Sequence, residues 1–207
     1  MRSRRLHVVR LLTRLEGRVP AVHAIVTRLH ARRFDGLAPH WDRIRADAAD
    51  SLRMLEAALS ELGVETPARV LDVGTGTGQA AGMLARLFPR AQIDAVDASP
   101  AMIERARAKP ELSAVRFAVA DGGRLPFPDA SIDLAVSLLV QPFEDELRRV
   151  LATGGWALFC YPMGPGTPIW FPTSLLAPRL RRAGFGELRA GTIGPGEWTA
   201  GRVTGGR

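Results

Sequence analysis

Glycines at 74, 76 and 78 sit in the stretch RVLDVGTGTGQAAG, directly after an apolar run and before a helical pattern. Glycine permits positive φ and carries no Cβ, so backbone amides and a helix start can approach a polar or anionic ligand. The G-x-G-x-G spacing differs from the G-x-G-x-x-G of dinucleotide sites, and no Gly-Lys-Ser/Thr follows as a Walker loop would need. Asp72, just before the loop, can bond either the loop amides or a ligand. Asp97 ends the next apolar run, QIDAVD, where a carboxylate can accept two hydroxyl hydrogen bonds from a ribose. Asp121 ends the run after that. Acid–base candidates are few: His7, His23, His30 and His40 all precede this region. His40, beside Trp41, is the candidate catalytic group, with an exposed loop histidine as its plain alternative. Phe143, Trp170 and Phe171 could line an apolar acceptor pocket, or be core. Cys160 and Tyr161 end a strand where substrate could pass, and packing explains them equally well.

These residues need a scaffold that brings several strand ends to one edge. From Arg69, β-type runs alternate with helical ones: RVLDV, QAAGMLARLF, QIDAV, PAMIERARAK, VRFAV, IDLAVSLLV, FEDELRRVLA and WALFCY. Such alternation requires crossovers, hence a doubly wound α/β domain whose mostly parallel sheet carries helices on both faces. GELRAGTI, GPGE and WTAGRV read as a hairpin, so the last strand is expected to be antiparallel. Asp129 in PFPDAS reads as a turn residue. The boundary is placed between an N-terminal basic helical arm and cap, 1–62, and the ligand-binding domain, 63–207. Within the arm, Val8–Leu15 and Val22–Leu29 hold apolar residues at helical spacing, and a third pattern from Ile44 to Leu62 stops at Gly63.

The net charge of +7 is concentrated in the arm: Met1 to Arg33 carries nine Arg and one Glu. All cations of the chain but Lys109 are arginines, and no aromatic residue interleaves with those of the arm, so a nucleic-acid partner is not expected. A lid, a peripheral contact with a membrane surface and a transit segment stay open for the arm. With one cysteine, no disulfide framework and no cysteine-rich metal site arise, no 18-residue apolar run spans a membrane, and no metal is expected. A cytoplasmic location is expected, and oligomeric state is not legible.

VLDVGTGTG, VDASPAMIERAR, ADGGRLPFPDASIDLAVS, LRRVLATGGWALF and LRRAGF, in this order, resemble the class I S-adenosylmethionine-dependent methyltransferases, in the branch similar to ubiquinone/menaquinone-biosynthesis enzymes. The resemblance implies a Rossmann-like, seven-stranded methyltransferase fold with an N-terminal helical extension, and S-adenosylmethionine as cofactor. It implies that Gly74, Thr75, Gly76 and Gly78, with Asp72, cradle the methionine part. Asp97 would bind the ribose hydroxyls, with Ala98 also among the cofactor-binding residues, Met102 would pack on adenine, and Asp121 and Gly122 would face its amino group. FDGLAPHWD would close over the cofactor. Methyl transfer is an in-line displacement served mainly by orientation, so a dedicated base is optional. The expected acceptor is an O or C atom of a small, aromatic or isoprenoid metabolite. SLLVQPFEDE lacks the Asn-Pro-Pro-Tyr type motif of amino-group methylation. The Ser137–Val150 and Met163–Pro172 segments are short, which implies a reduced lid. A cofactor-binding scaffold without transferase activity, regulatory or cyclase-like, is the alternative; an NAD enzyme is disfavoured by the loop spacing.

Overall fold

A computed structural model describes residues 20–45, 48–166 and 169–205. The first expected helix, Val8–Leu15, and His7 lie outside the described residues. The second apolar set falls in α1 (Pro20–Leu37), which opens on a proline, a residue suited to a first helical turn. It runs four residues into FDGLAPHWD. A 3-10 turn, Ala38–His40, then leads to the short α2 (Trp41–Ile44). The third pattern begins later than its spacing implied: Ile44 is exposed on α2, and α3 spans Ala48–Leu62. Gly63 ends it at φ +66, where other residues are strained.

The remaining elements are β1 (Arg69–Val73), α4 (Gln79–Leu87), β2 (Gln92–Asp97), α5 (Pro100–Arg107), β3 (Arg116–Val119), β4 (Ile132–Leu138), α6 (Glu144–Val150), β5 (Leu151–Tyr161), α7 (Thr173–Ala183), β6 (Glu187–Ile193) and β7 (Gly196–Arg202). They form one seven-stranded sheet in the order β3-β2-β1-β4-β5-β7-β6. Only β7 is antiparallel, to both β5 and β6, as the hairpin pattern implied. The central strands are apolar on successive residues because both faces are covered. Val70, Leu134, Val136 and Leu158 face α3 and α4, whereas Leu71, Ala135 and Phe159 face α6 and α7. On α3 the stripe Met54, Leu55, Ala58, Leu59 and Leu62 is buried in the first of these cores.

β5 starts at Leu151, earlier than WALFCY alone suggested. Leu151 pairs with Ile132, and the register then shifts between Ile132 and Leu134. A Cβ on Gly155 would lie 2.9–3.1 Å from the carbonyl oxygens of Ala152, Asp133 and Ile132, so the irregularity needs glycine there. The β3–β4 connection contains no helix. Arg149 pins it instead, donating to the carbonyls of Leu125 and Phe127 and pairing with Glu146 and with Asp129 in its turn. Because β2 and β3 lie to one side of β1 and β4 to the other, the chain reverses direction across the sheet there, and a crevice opens at the carboxyl ends of β1 and β4.

Candidate functional site

The glycine turn leaves β1 at that crevice. The amides of Gly74 and Thr75 donate to the Val96 carbonyl at 2.8 and 3.0 Å, and the Gly76 amide donates to Asp97 Oδ2 at 2.9 Å. Asp97 Oδ1 accepts from the Ser99 amide at 2.8 Å. Each carboxylate oxygen of Asp97 thus fixes one amide, and a carboxylate's further lone-pair directions remain for hydroxyls. Burial raises the pKa of this carboxyl above the ordinary range, against the pull of those amides. Gly74 and Gly76 both have positive φ, +72 and +55. A Cβ on Gly74 would lie 2.3 Å from Val140 Cγ2, and one on Gly76 would lie 3.0 Å from Trp41 Nε1. The bare backbone therefore makes room for protein side chains as well as for a ligand.

One cavity of about 600 Å³ lies over this edge. Asp72, Gly74, Thr75, Gly76, Asp97, Ala98, Met102, Asp121 and Gly122 all line it. Gly78 does not: it begins α4, facing Leu112 and Phe117. His40 is exposed and also stands outside the cavity, whereas His30, one α1 face earlier, lines it. Burial, then the charge of Arg33, lowers the pKa of His30. Phe143 lines the cavity with its ring against Gly122. Trp170 and Phe171 do not; both pack in the core on the α6–α7 side, Phe171 with its ring 6.2 Å from that of Tyr161. Cys160 is buried in the other core.

Asp72 is 1% exposed, and its Oδ2 has no hydrogen-bond partner among the described residues; neither has the Thr75 hydroxyl. Burial pushes the Asp72 carboxyl up to about 7, and the Asp97 carboxylate adds to the shift. The Thr75 hydroxyl lies close enough to pull that pKa down, and an enclosed carboxyl on a residue of the cavity wall still calls for a polar partner from outside the chain. The ammonium and carboxylate of an amino acid, with a ribose diol at Asp97 and a planar base beside Met102, meet that need. The residues fit S-adenosylmethionine.

Several residues that build this site were not legible as such. Asp35, on α1, accepts from Ser99 Oγ at 2.6 Å and from the Ala101 amide at 3.3 Å, while Ser99 Oγ caps α5 through the Met102 amide. Asp42, on α2, accepts from the Thr77 hydroxyl and pairs with Lys109 at 3.0 Å; Lys109 also donates to the Thr77 carbonyl. Phe34 and Trp41 meet edge to face at 5.4 Å. FDGLAPHWD is thereby tied at two points across the glycine turn. Its aspartates were visible in the sequence, but their partners lie 64 and 35 residues away.

Residues 70–155 match the Methyltransferase domain family. The chain is 39% identical over 155 residues to the malonyl-[acyl-carrier protein] O-methyltransferase of Halorhodospira halophila, a match covering 70% of this chain and 51% of that protein. It is 38% identical over 134 residues to the demethylmenaquinone methyltransferase of Thermus thermophilus, covering 59% of this chain and 60% of that one. The chain thus spans about half to three-fifths of the length of these relatives. Among solved structures, the complex between the Haloferax volcanii Trm112 methyltransferase activator and a methyltransferase contains a similar chain. That likeness has a TM-score of 0.71 at 20% identity and covers 83% of this chain and 98% of that chain; it bears on the fold alone. No helix among the described residues is long and apolar enough to cross a membrane.

Proposed function

We propose that this chain, whose residues 70–155 match the Methyltransferase domain family and which is 39% and 38% identical over the matched parts to two methyltransferases, transfers the sulfonium methyl group of S-adenosylmethionine to an oxygen or carbon of a small metabolite held under the α1–α2 cap. The carrying observation is the enclosed Asp72 carboxyl in the same cavity wall as the glycine turn and Asp97. Asp72 and Thr75 bind the amino-acid end, the amides of Gly74, Thr75 and Gly76 being bonded to the Val96 carbonyl and Asp97, and Asp97 takes the ribose hydroxyls. Met102 packs on the base, with Asp121 and Gly122 at its rim. Bound there, the cofactor supplies an electrophilic methyl group; the chain orients it and excludes water, and no dedicated base is required for an acidic acceptor. The relatives' names, malonyl-[acyl-carrier protein] O-methyltransferase and demethylmenaquinone methyltransferase, support an organic acceptor, in the first case one carried on a protein.

A cytoplasmic location and contact of the basic arm with an anionic membrane surface belong to the same reading, supported by the single cysteine and the arginine-rich composition of Met1 to Arg33.

Calorimetry with S-adenosylhomocysteine and with NAD tests the cofactor assignment. The first should bind and the second should not. Asp97→Ala should weaken S-adenosylhomocysteine by about tenfold or more, since it removes both the ribose acceptor and the anchor of the Gly76 amide. Unchanged affinity in that variant, or binding of NAD alone, would defeat it.

A further inference from the structure

A third enclosed polar atom belongs to a residue that lines this cavity. Gln141 Oε1 is sealed from solvent with no hydrogen-bond partner among the described residues, and Gln141 lines the cavity wall. An enclosed carbonyl oxygen without a donor is costly, so its position implies a partner that arrives with a ligand.

The backbone that presents Gln141 is held from several sides. Leu139 sits at φ +60, an uncommon conformation for leucine, and its amide donates to the Cys160 carbonyl at 2.9 Å. The buried Tyr161 hydroxyl donates to the Val140 carbonyl at 3.1 Å. The Val140 side chain occupies the space above Gly74. Tyr161, read from sequence as packing or substrate passage, thus fixes the loop that carries Gln141. The wall around it is apolar: Leu138, Leu139, Val140, Phe143, Met163 and Ile169. One carboxamide on such a wall offers a donor and an acceptor whichever way it is turned.

The polar groups of the cofactor already have counterparts in Asp72, Thr75, Asp97 and Asp121, all on the sheet edge. In that proposed assignment Gln141 has no role toward the cofactor. We infer that Gln141 is a specificity-determining residue for the methyl acceptor, holding an un-ionised hydroxyl or carbonyl of an apolar-bodied molecule beside the glycine turn. The inference rests on the transferase reading above. A site built around one hydrogen bond on an apolar wall discriminates strongly against analogues that lack the group, because the carboxamide is then left bare.

The test uses the full chain, S-adenosylmethionine carrying a labelled methyl group, and three probes: a prenylated 1,4-naphthohydroquinone, malonyl-pantetheine and a small-molecule metabolite extract. Gln141→Leu preserves approximate volume and removes both hydrogen-bonding atoms. It should keep the wild-type melting temperature within a few degrees and bind S-adenosylhomocysteine within about twofold. Its kcat/KM on whichever probe the wild type methylates should fall by about 5- to 150-fold, mainly through KM. Gln141→Glu, which keeps an acceptor oxygen, should recover part of the loss on a hydroxyl-bearing probe. If Gln141→Leu transfers label as well as the wild type, or weakens S-adenosylhomocysteine as much as it weakens transfer, this inference fails and the transferase reading stands. If the wild type binds S-adenosylhomocysteine but labels nothing, the transferase reading falls and takes this inference with it.

Discussion

The two walls of the cavity are built differently. The sheet-edge wall, from Asp72 through Gly76 and Asp97 to Gly122, consists of strand ends and tight turns whose polar groups bond residues close in sequence or on the adjacent strand. The opposite wall is assembled from α1, α2 and the loop after β4, and its side chains reach the first wall across long sequence separations: Trp41 over Gly76, Val140 over Gly74, Asp35 onto Ser99. A fixed cofactor asks for the first kind of construction. An acceptor that differs among relatives asks for the second, because helices and loops can change without disturbing the strand ends. The contacts at Gly74 and Gly76 are where the two walls meet, so substitutions there show how independent they are.

The largest effect is expected from Gly74→Ala. The new Cβ would meet Val140 Cγ2 at 2.3 Å in a backbone at φ +72. Left-handed backbone and overpacking together should cost about 2–4 kcal/mol in denaturant unfolding. Affinity for S-adenosylhomocysteine should fall as well. Gly76→Ala faces the indole nitrogen of Trp41 at 3.0 Å, a longer approach than the 2.3 Å at Gly74, and should cost less. If Gly76→Ala proves the more damaging of the two, the cap is a more rigid part of the site than the loop after β4, and the proposed division between walls is wrong.

What was legible in the sequence follows the same division. Arg69–Val73, the glycine turn, Asp97 and the β6–β7 hairpin could be read because each signal is local: an apolar run with its turn residues, or a carboxylate at a strand end. Of the proposed cofactor residues, Gly78 is the one that turns away, since the same glycine that starts α4 is pressed against Leu112 and Phe117. The acceptor wall was legible in part. Phe143 lines the cavity, but Phe171 packs into the core with Tyr161 and Arg179, and Trp170 packs beside it. His40 was preferred to His30 for its neighbour Trp41. The 3-10 turn after Leu37 instead leaves His40 outside, while the helix carries His30 inward. Nothing local marks which side of a turn a histidine takes. The same holds for Gln141, whose meaning comes from the absence of a partner in three dimensions.

A pH experiment sharpens the contrast. With Asp72 raised to about 7 by burial, the free protein holds a proton there through much of the mildly acidic range. A ligand ammonium favours the carboxylate, so S-adenosylhomocysteine binding should release a proton near neutrality. Affinity should therefore rise with pH up to about 7 and then level, with a loss approaching tenfold per unit on the acid side. The stability of the free protein should move oppositely. A folded-state pKa above the unfolded 3.8 gives a contribution present at low pH and lost as pH rises through about 7. Calorimetry in buffers of different ionisation enthalpy would count the proton, and Asp72→Asn should abolish the release. A proton release that survives in Asp72→Asn would move the titrating group to Asp97, whose carboxyl burial also raises, or to His30 on the cap.

The smallest stability effect is expected where α2 is tied down. Asp42 and Lys109 meet at 3.0 Å with 46% and 24% of their side chains exposed, so solvent screens the pair, and Asp42→Ala should cost no more than about 1 kcal/mol in unfolding. Burial opposes ionisation of Asp42, but the Thr77 hydroxyl and the Lys109 ammonium hold its pKa below the ordinary value. The tie is therefore present near neutrality and is lost as pH falls through that lowered value. Its consequence lies in kinetics rather than stability. Thr77 is buried beside the glycine turn, and Trp41, the residue before Asp42, covers Gly76. Releasing Asp42 frees Trp41 to move off the turn. S-adenosylhomocysteine should then leave Asp42→Ala several-fold faster in stopped-flow displacement, while the melting temperature shifts by only a few degrees. Lys109→Arg should behave like a partial loss, because a compact ammonium reaches both Asp42 and the Thr77 carbonyl, whereas a planar guanidinium requires different geometry. Dissociation at the wild-type rate in Asp42→Ala would mean that the cap holds by its apolar contacts alone, with Phe34 and Trp41 as its anchors.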